Sequence, residues 1–354
     1  MKRRTLLKAV GIPAVLGTGG VFFYARGASA RSFYYDGPVS DHFDGARFFL
    51  PGQTRDKSQA ELWKWRSAGG RQPWPSAWPS PFRDKPPARV EGGRLRVTLI
   101  GHASFLIQTA GLNILVDPVF SERASPFGFA GPRRVNPPGV GLTDLPRIDW
   151  TLLTHNHYDH MDVDSLRAIA AGHGNRIVAP LGNDAILSAA DVRAETVALD
   201  WWHHRRLAPG VTVHLVPAKH WSARGLFDRR HALWGGFVLE TPAGVIHVAG
   251  DTGYHQPLFS MVREKFGAPR LSLLPIGAYE PRWFMKDQHM GPDEAVQAFV
   301  DLGARAAIGC HWGTFQLTDE AVDTPERELA AELARRGVAA SRFGAFRPGQ
   351  VWEA

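Results

Sequence analysis

Cysteine is almost absent: Cys310 is the only one in 354 residues. A lone thiol closes no intrachain disulfide and builds no thiolate cluster, so a disulfide scaffold and a cysteine-held metal are both excluded. Acidic residues are also short, 34 against 41 lysines and arginines, giving a formal charge of +7. Part of that excess is local, because Lys2, Arg3, Arg4 and Lys8 open the chain. The rest is scattered, with no dense basic run interleaved with aromatics, and argues against nucleic-acid binding. It suits a phosphate-bearing or anionic-lipid substrate better. Solenoid repeats and long low-complexity tracts are missing as well.

What is present begins with a leader. Lys2-Arg3-Arg4-Thr5-Leu6-Leu7-Lys8 resembles a twin-arginine export signal, and Ala28-Ser29-Ala30 has the small-x-small form of a cleavage site. The apolar stretch between them is broken by glycines and Pro13, short of the roughly 20 apolar residues a spanning helix needs. Residues 1–30 are expected to be a cleaved signal or a retained anchor. Either places the rest of the chain in the periplasm or at the inner membrane.

Residues 31–90 read as an irregular arm rich in Trp and Pro, with Trp63, Trp65, Trp74 and Trp78 concentrated there. Such an arm packs on the domain it precedes; a membrane-interface contact is the other use for exposed Trp. Residues 91–354 form the domain proper. Arg94 to Ile100 alternates at period two, as a half-buried strand does. Ser104–Gln108, Leu112–Val116 and Trp150–Thr154 follow as short strands, and a helix with an acidic cap is expected from Asp164. Val211–Val216, Val245–Ala249, Leu271–Leu274 and Ala306–Cys310 each end in a polar loop, with helices at Pro292–Leu302 and Thr324–Arg335. This alternation implies an α/β fold of sheets covered by helices, with polar strand ends collected on one rim.

The chemistry sits at those ends. In His155-Asn156-His157-Tyr158-Asp159-His160, alternate residues point the same way, so His155 and His157 can share a metal while Asp159 and His160 begin a second site. Imidazole and carboxylate are good ligands for zinc and similar divalent metals. His220, Asp251 and His311, ending later strands, are the candidates to complete both. His102 is either a site-lining residue or a satisfied core histidine. His203 and His204 read as a solvated loop, and Cys310 as a buried strand-end thiol.

This order of motifs resembles the metallo-β-lactamase superfamily, whose fold is an αββα sandwich of two mixed sheets flanked by helices. The resemblance implies that His155, His157 and His220 hold one metal, that Asp159, His160 and His311 hold the other, and that Asp251 bridges them. Asp117 then orients a ligand histidine from behind. Because His157 is retained, the resemblance disfavours a redox diiron role. Longer strings are similar to the branch of phospholipase D enzymes that hydrolyse N-acylphosphatidylethanolamine: Asp117 to Pro126, Gly131 to Val135, Pro217 to Ser222, Pro275 to Met285 and His311 to Phe315. That branch implies two divalent metal ions, zinc by expectation, and a phospholipid or other phosphodiester substrate. It also places Gln288, His289 and Tyr279 near the substrate. Asp159, Asp251 and His289 are the expected catalytic groups. The alternatives are a lactonase- or thioesterase-type metal hydrolase and a non-catalytic metal-binding envelope protein.

Overall fold

Runs of apolar and β-branched residues, each too short to bury itself alone, assemble into two seven-stranded sheets. The computed structural model describes residues 32–52, 56–174 and 176–354; the expected leader at 1–30 lies outside them. The first sheet takes β1 (Leu95–Gly101), β2 (Ser104–Thr109), β3 (Leu112–Val116), β4 (Trp150–Leu152), β5 (Arg176–Pro180) and β6 (Glu195–Leu199). The second takes β7 (His204–Ala208), β8 (Val211–Val216), β9 (Gly236–Thr241), β10 (Gly244–Val248), β11 (Leu271–Pro275), β12 (Ala306–Cys310) and β13 (Phe343–Ala345). A final strand, β14 (Val351–Glu353), returns to the first sheet beside β1.

Both sheets are mixed. The strands from β1 to β3 pair antiparallel, and those from β3 to β6 parallel. The second sheet repeats the scheme, antiparallel from β7 to β10 and parallel from β10 to β13. Between them lies an apolar layer in which Val97, Phe105, Ile114 and Trp150 meet Val213, Phe237, Ile246 and Leu273. Helices α2 (Val163–His173) and α3 (Asn183–Ala189) cover the outer face of the first sheet through Leu166, Ile186 and Leu187. On the second sheet, α4 (Gln256–Phe266), α6 (Pro292–Leu302) and α7 (Thr324–Arg335) bury Phe259, Phe299 and Leu329, with the short α5 (Arg282–Met285) between α4 and α6 in the chain. The layering is αββα, as expected.

Three local expectations change. β1 is buried on both faces rather than half-buried. Its polar side chains are covered by the arm, where Asp84 accepts from Arg96 at 2.6 and 2.8 Å and from Thr98 at 2.7 Å. The α2 cap is Asp162 rather than a residue further on, its carboxylate accepting from Asp164 N–H. Nor is the arm wholly irregular, because α1 (Gln59–Ala68) forms in it without a single buried residue. A capping box, Ser58 with Glu61, satisfies its first N–H groups, a device that contributes on the order of 1 kcal/mol.

Several of the arm's aromatics pack on the domain, whereas Trp63 stands 65% exposed. Phe43 and Phe48 join the central layer. The Trp65 and Trp74 indole N–H groups donate to Asp319 and to the Glu320 carbonyl, at 2.8 and 2.9 Å. Trp78 meets Trp312 edge-on at 5.6 Å, one residue from His311. Among the described residues no helix is long and apolar enough to cross a membrane.

Candidate metal centre

Six strand ends converge on one edge of the sandwich. His102 follows β1, Asp117 follows β3, the His155–His160 loop follows β4, and His220, Asp251 and His311 follow β8, β10 and β12. Three of these turn through left-handed backbone despite carrying side chains: His102, Asp117 and His311, with φ of 55°, 40° and 63°. Such a conformation costs about 1–3 kcal/mol and persists only where the surroundings enforce it. Here it aims side chains at a shared point. His311 N–H also donates to the His102 carbonyl at 2.9 Å, tying the two sheets together at this edge.

Two donor sets result. In the first, the His157 Nδ1 lies 2.9 Å from His155 Nε2 and 3.2 Å from His220 Nε2. Asp251 Oδ2 closes it, 3.9 Å from His155 and 3.7 Å from His220. In the second, His160 Nε2 is 3.6 Å from Asp159 Oδ2 and 3.3 Å from Asp251 Oδ2. His311 Nε2 is 3.3 Å from Asp159 Oδ2 and 3.2 Å from Asp251 Oδ1. Asp251 therefore faces both sets.

The residues fit a metal. Ring nitrogens converge in pairs that cannot all satisfy one another, and His160 Nε2, His311 Nε2 and Asp251 Oδ1 are buried with no hydrogen-bond partner. Buried polar atoms are seldom left so unless an ion or water completes them. Burial pushes His157 and His220 down to about 3 and His155 well below its ordinary value. Their lone pairs are thus free at neutral pH. Burial also disfavours charge on His160 and His311, but Asp251 and Asp159, joined at His160 by Asp117, together overcome it, holding His160 well above its ordinary value and His311 at about 9. Burial would raise Asp159 and Asp251, yet His160 and His311 beside them, with His102 at Asp159, together hold both well below the usual carboxylate range. A divalent metal held by Asp159, His160, His311 and Asp251 would take the place of the imidazole protons on His160 and His311 Nε2.

A supporting layer fixes the rings. Asp117 accepts from His160 Nδ1 at 2.7 Å and from Thr154 N–H and Oγ1 at 2.8 and 2.6 Å. Thr154 Oγ1 also meets His155 Nδ1 at 3.0 Å, and the Gln288 carbonyl accepts from His220 Nδ1 at 3.0 Å. His102 lies at the site, its Nε2 3.0 Å from Asp159 Oδ2. His289 is buried with Nδ1 3.9 Å from Asp251 Oδ2 and no partner of its own. The Gln288 side chain is held by the Trp221 indole at 2.9 Å. Tyr279 is not brought to the site: its hydroxyl donates to Glu328 of α7 at 2.6 Å, which turns it into the helix layer.

Sequence reasoning missed a brace behind the metal loop. Arg224 Nη1 donates to the carbonyls of Asn156 and Met161 at 2.9 and 2.8 Å, clamping both ends of the loop. Its guanidinium lies 4.1 Å from the Tyr158 ring centroid. Asp228 holds the Arg224 segment by accepting from the Arg224 and Gly225 N–H groups. Tyr34 of the arm donates to Asp228 at 2.7 Å.

Two apposed mixed sheets with paired His/Asp sets on one edge define a metal-dependent hydrolase. The Beta-lactamase superfamily domain model matches residues 112–312. An N-acyl-phosphatidylethanolamine-hydrolyzing phospholipase D of Caenorhabditis elegans is 36% identical over 272 residues, covering 73% of this chain and 76% of that protein. An uncharacterized protein of Mycobacterium tuberculosis is 34% identical over 331 residues, covering 92% and 86%. Among solved structures, isothiocyanate hydrolase from Delia radicum gut bacteria shares the fold, with a TM-score of 0.60 at 21% identity over 73% of this chain and 100% of that one. The chain belongs to the metallo-β-lactamase superfamily, in its branch similar to the N-acylphosphatidylethanolamine-hydrolysing phospholipases D.

Proposed function

We propose that this hydrolase is a two-metal phosphodiesterase of phospholipase D type, acting outside the cytoplasm on N-acylphosphatidylethanolamine-like lipids, with zinc as the metal. The observation that carries the reading is the placement of Asp251 between two histidine sets, with the unpartnered His289 Nδ1 beside it. The name of the nematode relative supports the choice of substrate. Divalent metal in the two sets supplies Lewis acidity toward phosphoryl oxygens and lowers the pKa of water.

The residues do the rest. Asp159 and Asp251 orient the attacking water through carboxylate oxygens that face the gap between the sets. Asp117 and the Gln288 carbonyl lock the rings of His160 and His220, so the site is organised before substrate arrives. Water attacks phosphorus, the bond to the N-acylethanolamine oxygen breaks, a proton given up by that water ends on the departing oxygen, and phosphatidate and N-acylethanolamine leave. His289 Nδ1, free of protein partners, holds the departing oxygen by a hydrogen bond as charge develops on it.

The test is turnover by metal-replete protein on N-acylphosphatidylethanolamine, other phospholipids, lactones and thioesters, with His160→Ala as the metal-site control. Turnover of the carbonyl substrates alone overturns the reading. His289→Ala is expected to keep its metal and lose roughly 100-fold or more in turnover; unchanged turnover removes His289 from the mechanism.

A further inference from the structure

The His289 ring sits beside both donor sets, its centroid 5.1 Å from that of His220 and 5.4 Å from that of His311. Its Nδ1 has no hydrogen-bond partner. Hydrogen bonds that fix the ring's position therefore act on the main chain of its loop, residues 286–291, which joins α5 to α6.

That loop is tied in three places. Met290 N–H donates to the Thr252 carbonyl at 3.0 Å, one residue beyond Asp251, and His289 N–H donates to the Met285 carbonyl at 2.9 Å. The third tie is Arg282, the first residue of α5. Its Nη1 donates to the His289 carbonyl at 3.0 Å and to the Tyr279 carbonyl at 3.3 Å. Its Nη2 donates to Glu294 of α6 at 2.6 Å, and that carboxylate also accepts from Gly291 N–H at 3.3 Å. One guanidinium thus fastens the helix before the loop, the helix after it and the residue that carries the ring. Its donors lie in one plane at fixed angles, so both partners are held at once; an ammonium in its place would be a point charge without that fork. A partly exposed ion pair such as Arg282–Glu294 contributes little to stability, so its use lies in the geometry it imposes.

We propose that Arg282 is a positioning residue, setting the His289 ring against Asp251 by gripping the His289 carbonyl. It acts through His289 alone. That its loss shows in turnover rests on the reading above, in which His289 holds the departing oxygen.

Two measurements on the full-length, zinc-loaded chain test it. The first needs no turnover. With histidine isotopically labelled in its ring nitrogens, the signals that vanish in His289→Ala belong to His289. In Arg282→Gln those signals should shift or broaden, while the other ring signals and the zinc content stay as in the wild type. Unmoved His289 signals overturn the proposal, and so does equal displacement of every histidine. The second is a double-mutant cycle on N-acylphosphatidylethanolamine. Arg282→Gln is expected to lower kcat roughly tenfold or more with KM little changed, and adding it to His289→Ala should cost nothing further. Losses that add in full overturn the proposal. The loss should also shrink on bis(p-nitrophenyl) phosphate, whose departing oxygen carries its charge unaided; an equal loss on both substrates assigns Arg282 to the fold rather than to His289. If Arg282→Gln does not fold, Arg282→Lys, which keeps a charge opposite Glu294 without the fork, replaces it in both measurements. A wild type that turns over no phosphodiester refutes the functional reading instead, and the ring signals still decide the positioning.

Discussion

Replacing Asp117 by Asn separates metal organisation from fold stability. The carboxylate accepts three hydrogen bonds, from His160 Nδ1 and from Thr154 N–H and Oγ1. An amide keeps the shape but presents an NH2 to groups that are themselves donors, so at least one of these bonds is lost. Loss of such support behind a ligand histidine costs about 10–100-fold in metal affinity, or roughly 1.4–2.8 kcal/mol. At free metal near a thousand times Kd, each site contributes about 4.1 kcal/mol of stability; the variant retains about 2.7 to 1.4 kcal/mol at that site. The metal-loaded protein should therefore melt a few degrees lower. The metal-free protein should change little, within about 1 kcal/mol, because two effects oppose each other. Burial pushes the Asp117 carboxyl up, whereas His160 and Thr154 favour its charged form. Chelator-competition titration with zinc and melting scans with and without metal measure both. Wild-type metal affinity in the variant, or a loss of stability equally large without metal, would refute the reasoning.

Three further outcomes follow from contacts elsewhere. Arg224→Lys leaves the carbonyls of Asn156 and Met161 without their shared fork, a loss of about 1.5–3 kcal/mol in loop order; hydrogen exchange at residues 156–161 should accelerate and metal affinity should fall. Asp84→Ala strands a buried guanidinium that keeps only the exposed Glu353 as carboxylate partner, so urea denaturation should show a loss near 3 kcal/mol. Burial lowers His42, but Asp200 and Asp41 overcome it and hold the ring above its ordinary value. Its ion pairs then stabilise the fold fully below about pH 6.5 and fade as pH rises through the folded pKa. The melting gap between wild type and His42→Gln should accordingly narrow with rising pH; a gap that widens refutes the assignment.

The candidate metal centre was legible because every candidate ligand follows a strand end, and strand ends are marked by an apolar run meeting a polar loop. His220, Asp251 and His311 stood out for that reason although far apart in sequence. The brace was not legible. Arg224 and Asp228 lie in a stretch that reads as a polar loop, and Tyr34 meets Asp228 across 194 positions with no periodicity to announce it. Helix α1 escaped because it buries no side chain, leaving no apolar stripe; its one signal was the Ser58-x-x-Glu61 capping box. The burial of β1 escaped for the opposite reason. Arg96 and Thr98 look solvent-facing until Asp84 folds over them. Tyr279 was placed by its neighbours in a resembling string, and a string does not say which way a side chain turns.

The central claim is that two metals share Asp251. Metal analysis of fully active protein, alongside His160→Ala, tests it most directly. Two equivalents per chain are expected in the wild type, with one lost and activity collapsing in the variant. Full activity at about one equivalent or fewer, or a variant that keeps both metals, would contradict it.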